Sequence, residues 1–526
     1  MSHPARPAPP TLFKELTASK AMHTCILTDN KYISEQKVHE IVTVPRVRST
    51  LRSRWGWLLL LIFNRGLDNK LLQARKVIAV LVIIGQLNED SLMSLTANGL
   101  TDDDLPLRDK GDSVQNRHEN KTVTFPSWEE GTMEACLEKQ WIVLAPILDL
   151  KDGHPIEFEL DEKCALEFSI CEDQGKTQFS QVFFAEIPSQ IGERRHIAIK
   201  KFINAFKDYT HERDNLRKIN AVNNNHLIKH LATCDQMPCI VFPWADHGDL
   251  KQFWEDKSAS DRALPIFVWS IEQLYGLASA LRDLHNINCR HGDLKPSNIF
   301  YFSEDGAGVL KIADVGVSKI HSISTHLHRG ETATTASTRA YEGPEAYRQT
   351  NAPRSRTYDC WSMGCIILEF VIWLLYDQNA LDGFHWSRDS EWNSYYYPKS
   401  SKPISDDRKA EWWEEMERHP NVDVVIKLLL EDGRVRGTAL EELVNIVDSK
   451  LLLINPKSRH LAIDIAKELQ GLLGRCKKEQ IPWVNLDEVP PTVPSIFSHA
   501  PPKVPDTTCQ PNGVTVVDST LPAQQA

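Results

Sequence analysis

The segment Arg290-His291-Gly292-Asp293-Leu294-Lys295-Pro296-Ser297-Asn298 sets an aspartate, a lysine and an asparagine at i, i+2 and i+5, straight after a helical stretch. These types suit phosphoryl transfer, which asks a protein for positioned charge more than for covalent chemistry. Asp293 can accept the proton of an attacking hydroxyl, Lys295 can neutralise a moving phosphoryl group, and Asn298 can hold a metal ion. Downstream, Lys311-Ile312-Ala313-Asp314-Val315-Gly316 delivers a carboxylate from a strand into a turn that glycine permits. Upstream, Ala198 and Lys200 lie in the alternating stretch His196–Phe202. A period of two puts both on one strand face.

The elements that must position these groups follow from the surrounding pattern. Val268–His285 reads as a helix with Ile271, Leu274, Ala278 and Leu281 inward, ending just before the Asp293 loop. Ile366–Leu375 is apolar all round, as in a helix buried on every side.

In this order the segments resemble the eukaryotic protein kinase family. Asp293 to Asn298 resembles the catalytic loop H-R-D-L-x-x-x-N, with Gly292 in place of the arginine. Asp314-Val315-Gly316 resembles D-F-G, with valine for phenylalanine, and Ala198-Ile199-Lys200 resembles the V-A-I-K strand. The family pairs that lysine with a helical glutamate. Here it is Glu212 in His211–Leu216, with Leu216 and Ile219 facing inward; Asp214, or a solvated face, is the alternative. The gap of 12 residues from Lys200 requires a tight joining loop. The glycine-rich loop is represented by Gly175, Thr177, Ser180 and Val182, so one of its three glycines remains. Side chains at 177 and 180 limit backbone approach to phosphates. Asp359-Cys360-Trp361-Ser362-Met363-Gly364 resembles D-x-W-S-x-G, whose aspartate holds the catalytic loop's backbone. Gly343-Pro344-Glu345 resembles A-P-E, whose glutamate pairs with an arginine that Arg459 supplies.

The resemblance, over about residues 165–475, implies an α+β fold with a small β-rich N-lobe and a larger helical C-lobe. It implies a protein serine/threonine kinase using ATP and Mg²⁺, with Asp293, Lys295 and Asn298 catalytic and Asn298 and Asp314 on the metal. Gly175, Val182, Ala198, Lys200, Glu212, Ala245 and Phe300 would bind ATP, Phe300 packing under the ring. In the hinge, Phe242-Pro243-Trp244-Ala245, Phe242 gates the back of the pocket, Pro243 can only accept a hydrogen bond and Ala245 can donate one. Leu294-Lys295-Pro296, and Thr338 seven residues before Glu345, resemble serine/threonine rather than tyrosine kinases. Without an arginine at 292 no guanidinium there meets an activation-segment phosphate, despite the hydroxyls of Thr332–Thr338. Val315 takes away a large apolar plug behind the helix of Glu212. Two other readings stand beside this one: a pseudokinase acting as a binding or scaffolding module, and a small-molecule kinase of related fold.

The whole chain sets outer bounds. Its 526 residues, 41% hydrophobic and 25% charged, allow several domains with a large core. A net charge of −11 argues against general nucleic-acid binding. Eleven scattered cysteines without a C-x-x-C pair point to a reducing compartment, the cytoplasm or nucleus. No run reaches the length of a membrane span. Trp55–Phe63, following Arg46, Arg48, Arg52 and Arg54, reads as a buried helix with a basic flank or as a peripheral membrane patch.

Residues 1–45 read as irregular. Residues 46–145 read as a helical region that would be regulatory or an adaptor and meet a regulatory partner. Within it, one helix runs from Leu71 to Gly85, another starts near Asn88–Asp90, 101–130 form a linker and Trp141–Pro146 a short strand. The aromatic insert 377–418 reads as a docking surface or a satellite core, and 486–526 as a disordered Pro-rich tail.

Overall fold

The computed structural model describes residues 11–51, 66–151, 153–188, 194–257, 263–304, 307–314, 340–348, 355–388, 395–399 and 412–497. Val315, Gly316, Thr338, Trp392 and the whole Trp55–Phe63 run lie outside them, as does the tail from residue 498. The chain divides into two compact units: Met1–Phe253 with Tyr275–Arg329 and Leu461–Ala466, and Trp254–Leu274 with Gly330–His460 and Lys467–Ala526. The segment carrying Asp293 and Asp314 groups with the N-terminal half.

The first unit opens with α1 (Leu12–Leu16), the hairpin β1 (His23–Thr24) and β2 (Lys31–Tyr32), α2 (Glu35–Ile41) and α3 (Val44–Thr50). Thr11 and Ser34 cap α1 and α2 through their hydroxyls, so the stretch read as irregular is ordered from residue 11. Then come α4 (Leu67–Leu72), α5 (Arg75–Ile83) and α6 (Glu89–Ala97). The expected single helix from Leu71 is thus two. The new start at α5 is stabilised by Asp102, whose Oδ1 accepts from the amides of Lys76 (2.8 Å) and Val77 (3.2 Å), a partner no local pattern announces. Gly85 (φ +73°) ends α5, and Asn88 caps α6, as expected.

Residues 101–130 are not a linker. They fold into β3 (Arg108–Asp109), β4 (Val114–Gln115) and β5 (Thr122–Val123), leading to α7 (Glu130–Lys139). Their polar residues are satisfied internally: buried Asp104 binds Lys121 (2.9 Å) and buried Asn116 (2.8 Å). Trp141–Pro146 holds no strand but the end of a 3-10 turn, Gln140–Val143. The buried Gln140 amide bonds both the N–H and the C=O of Leu107 and so takes the place of a strand partner.

The same unit contains a six-stranded sheet, ordered β6 (Ile156–Glu157), β10 (Ala232–Cys234), β11 (Cys239–Pro243), β9 (Arg194–Phe202), β8 (Ser180–Pro188), β7 (Ile170–Lys176). The β6–β10 pair is parallel and the others are antiparallel. One face buries Phe183, Ala185, Ile197, Ile199 and Val241 against Cys25, Leu27 and Tyr32 of the first hairpin. Polar ties add to this contact: Lys201 Nζ donates to Leu27 O (2.5 Å) and Tyr32 Oη to Phe168 O (3.1 Å). Helix α8 (Phe206–Asn220) follows β9. After α9 (Leu250–Asp256) and α10 (Leu264–Asn286), which contains the unit boundary at Tyr275, the hairpin β12 (Ile299–Glu304) and β13 (Ala307–Ile312) flanks the Asp314 turn.

The second unit is built round α11 (Thr357–Leu375), every residue of which is buried. Both α10 and α11 are long and apolar enough to span a membrane, yet α11 is wholly enclosed by the protein's own core. The unit continues with α12 (Gln378–Ser387), β14 (Tyr396–Pro398), β15 (Met416–Arg418), α13 (Pro420–Glu431), α14 (Ala439–Ile446) and, from Lys467 on, α15 (Ala462–Lys477), which contains a unit boundary. Phe384, Tyr395, Tyr396 and Trp412 of the aromatic insert are buried, as a satellite core requires, whereas Trp386 is 48% exposed. The start of the Pro-rich tail is packed: Phe497 is buried beside Tyr376 (5.0 Å between rings) and leaves no room for a Cβ at Gly383.

If the β1–β2 hairpin is part of this core, Leu27→Ala costs about 2–5 kcal/mol. Urea unfolding checks this, and an unchanged midpoint would show the hairpin to be peripheral.

Candidate active site

Strand register builds the first part of the site. Val182 lies opposite Lys200 and Phe184 opposite Ala198, while Ala198 pairs on its other side with Phe242 and Lys200 with Ile240. Directly opposed residues share a face, so Val182, Ala198 and Lys200 line one surface, the reverse of the one covered by the N-terminal hairpin. Helix α8 begins at Phe206, one and a half turns before the expected His211, and only residues 203–205 join it to β9. That tight connection brings Glu212 under the strand. Lys200 Nζ donates to Glu212 Oε1 (2.9 Å) and Oε2 (3.0 Å) and to Asp314 Oδ1 (3.0 Å). Asp214, the alternative partner, instead accepts from Arg213 and Arg217.

Burial matters here. Glu212 is 3% exposed and the Lys200 side chain 14%. Burial opposes the charge on Lys200, but Asp314 and Glu212 outweigh it and hold the ammonium above the usual lysine range. Burial pushes the Glu212 carboxyl up, against the pull of Lys200, while Lys200 holds Asp314 below the usual carboxylate range. Asp314 sits at φ +55°, a conformation that turns the chain sharply at the end of β13.

The loop after α10 forms the second part. Lys295 Nζ lies 2.9 Å from Asp293 Oδ2. Asn298 Nδ2 donates to Asp293 O (2.7 Å) and Oδ2 (3.2 Å), which leaves the amide oxygen as the atom suited to a cation. The sequence reading gave no role to His291. It is fully buried, its Nε2 bonds Ala313 O (2.8 Å), and its Nδ1 accepts from the Asp293 amide (3.2 Å). A second tie runs from Ala313 N–H to Asn298 O (2.9 Å). These bonds join the loop of Asp293 to the turn of Asp314 through a histidine whose only sequence signal is its place in Arg290-His291-Gly292. Gly292 takes φ +78°, where any side chain would be strained.

The expected adenine contacts converge too. Phe300, Ala245 and Phe242 pack against Ile228, Phe302 and Ala313. The carbonyl of Ala245 accepts from Gly248 N–H (3.1 Å). The phosphate loop departs from a glycine-rich one. Gly175 (φ +144°) faces Val182 across a register shift. At the tip, Thr177 Oγ1 accepts from the amides of Phe179 (3.3 Å) and Ser180 (3.0 Å), donors that a glycine loop would aim at phosphates.

In the second unit, Asp359 is buried in the first turn of α11. The expected Glu345–Arg459 pair is formed and bidentate (2.7 and 2.9 Å), with the guanidinium 4.8 Å from the centre of the Trp361 ring. Sequence reasoning missed Glu369. It is fully buried and accepts from Tyr341 Oη (2.7 Å), Tyr395 Oη (2.7 Å) and His385 Nε2 (2.8 Å).

The ion pair makes a prediction with a sign. Lys200→Met leaves Glu212 buried without its cation, at a cost of about 3–5 kcal/mol at pH 7. The cost shrinks as pH falls into the usual carboxylate range, because the unpaired carboxyls then take up protons. Denaturant unfolding of both proteins at pH 7 and 4.5 measures the difference; a pH-independent loss would contradict it.

A family model described as "Protein kinase domain" matches residues 169–460. The chain is 31% identical over 156 residues to a "Probable cell division protein kinase" of Encephalitozoon cuniculi, covering 30% of this chain and 52% of that protein. It is 28% identical over 190 residues to "Extracellular signal-regulated kinase 1" of Dictyostelium discoideum (33% and 32%). It is 32% identical over 124 residues to "Mitogen-activated protein kinase 4" of Homo sapiens (23% and 19%). The chain thus spans about half, or less, of the length of these curated relatives. The family match takes in more than half of the 526 residues, on the segments that carry the geometry above, and the chain belongs to the eukaryotic-type protein kinase family.

Proposed function

We propose that the chain is a protein serine/threonine kinase that transfers the γ-phosphoryl group of ATP to a protein hydroxyl with Mg²⁺. One observation carries the reading: Lys200 is paired with Glu212 and lies beside Asp314, and phosphoryl transfer in this family requires that lysine–glutamate pair together with an aspartate on the metal. Asp293 accepts the proton of the substrate hydroxyl, Lys295 offsets charge on the moving group, and Lys200 grips the nucleotide phosphates. Val182 and Ala198 above, with Ala245 and Phe300, enclose the adenine.

The donor set suits magnesium. Asn298 and Asp314 offer hard oxygen ligands, and the described residues contain no cluster of three or more His, Cys, Asp or Glu able to hold a metal alone. Mg²⁺ is commonly bound that way, by one or two protein ligands with phosphate oxygens and water completing the shell. When bound, the ion neutralises charge on the phosphates. Leu294-Lys295-Pro296 supports a serine or threonine acceptor, and the lobed kinase architecture goes with this function. Every described cysteine is a free thiol, which supports a reducing compartment such as the cytoplasm or nucleus. The net charge of −11 supports a protein rather than a nucleic-acid partner.

A binding or scaffolding role is the second reading. It is favoured by the closed hairpin tip, where Thr177 takes the amides of Phe179 and Ser180. Radiolabelled phosphate transfer to a protein substrate, with Asp293→Asn as control, decides between them. The kinase reading expects a loss of about 10²–10⁴-fold in the variant. Equal signals leave the scaffold. Gly292 puts no guanidinium at the position that meets an activation-segment phosphate, so phosphatase treatment is expected to leave activity unchanged, and its abolition with an intact fold would contradict this.

A further inference from the structure

Helix α8 carries Glu212, and its attachment to the sheet decides whether Lys200 keeps its partner. In much of this family's chemistry that helix has to be positioned for activity. Here one side of α8 bears Tyr209, Arg213, Arg217 and Asn220, spaced three and four apart and so on one stripe. All four reach the β6–β10–β11 edge of the sheet. The Arg213 guanidinium donates to both oxygens of Asp235 (2.7 and 2.8 Å), which starts the turn between β10 and β11, and Tyr209 Oη donates to the same carboxylate (2.5 Å). Arg217 Nη2 meets Glu157 of β6 (2.5 Å). Asn220 Nδ2 donates to His230 O (3.1 Å), and its Oδ1 lies 3.1 Å from His230 Nδ1.

The Asp235 side chain is 55% exposed, so the pair is open to solvent on the acceptor side. The Arg213 side chain is 14% exposed and its guanidinium lies 5.6 Å from the centre of the Tyr209 ring, so little of its freedom is left to lose on pairing. The fork is bidentate and a third donor shares the acceptor, the geometry in which charge-assisted bonds are strongest. Tyr209 and Arg213 hold the Asp235 carboxyl below its usual range. Tyr209 is fully buried and packs edge-on against Phe202 (5.5 Å), whose ring centre lies 5.6 Å from Lys200 Nζ. Arg213 is the neighbour of Glu212, and Tyr209 lies one turn before it. The ties therefore act on the turn of α8 that presents the glutamate.

We propose that Asp235 is a positioning residue: through Arg213 and Tyr209 it latches α8 to the β10–β11 turn, and so keeps Glu212 on Lys200 without a phosphorylated activation segment. This rests on the kinase reading for its consequence in catalysis, but the latch itself is a property of the fold and is measured separately.

The test compares the full chain with Asp235→Asn, which keeps size and loses charge, and Asp235→Glu, which keeps the carboxylate. Hydrogen exchange without nucleotide reads the latch. Amides 206–220 should exchange about fivefold faster in Asp235→Asn, as for loss of one well-formed ion pair, while 357–375 stay unchanged; Asp235→Glu should restore protection. Steady-state phosphate transfer reads the consequence: KM for magnesium–ATP should rise about fivefold, with a smaller change in kcat, and recover in Asp235→Glu. Unaltered exchange over 206–220, equal loosening of 357–375, or an unmoved KM in an active protein would overturn the proposal. Should even wild type transfer no phosphate, the exchange result alone decides the latch, and the kinase reading is what fails.

Discussion

A single ammonium group organises the site. Lys200 Nζ has two carboxylates within about 3 Å, one almost wholly enclosed and one half exposed. Enclosed charges are tolerated only when geometry satisfies all of them together. Strand β9, helix α8 and the turn after β13 come from distant parts of the chain, and each must arrive correctly or a buried charge is left alone. The three-residue link before α8, the positive φ at Asp314 and the two-sided pairing of β9 are the local forms that this demand takes.

The loop of Asp293 is joined to that centre through backbone atoms. His291 and Asn298 both bond Ala313, the residue before Asp314. Placement of Asp293 and of Asp314 is thus one problem rather than two. Glycine at 292 accepts the positive φ between His291 and Asp293 without a side-chain clash, which fits a loop set by internal bonds. The β7–β8 hairpin has the opposite character. Its tip is closed by Thr177 on its own amides.

Buried and part-buried polar groups recur where the chain needs a unique register. Asp102 starts a helix from a distance, Gln140 stands in for a strand, and Glu369 gathers two tyrosines and a histidine. Each such group costs free energy unless its intended partners are present, which favours one arrangement over near alternatives.

Much of this was legible before any coordinates. Alternation placed Ala198 and Lys200 on one face, the all-apolar run at Ile366–Leu375 gave a helix buried on every side, and the spacing from Asp293 to Asn298 set three polar side chains in one loop, where Lys295 and Asn298 both meet Asp293. These features depend on a strand's period of two, a helix's burial or a short loop, all fixed within a few residues. The partner of Lys200 was another matter: Glu212 and Asp214 stand two apart on one helix, and only the packing of α8 turns one inward and leaves the other to Arg213 and Arg217. The break between α4 and α5, the folded 101–130 segment and the hold of Asp235 on α8 likewise depend on side chains meeting across tens of residues. Local pattern carries no record of such meetings, because their free energy exists only once the chain has closed upon itself.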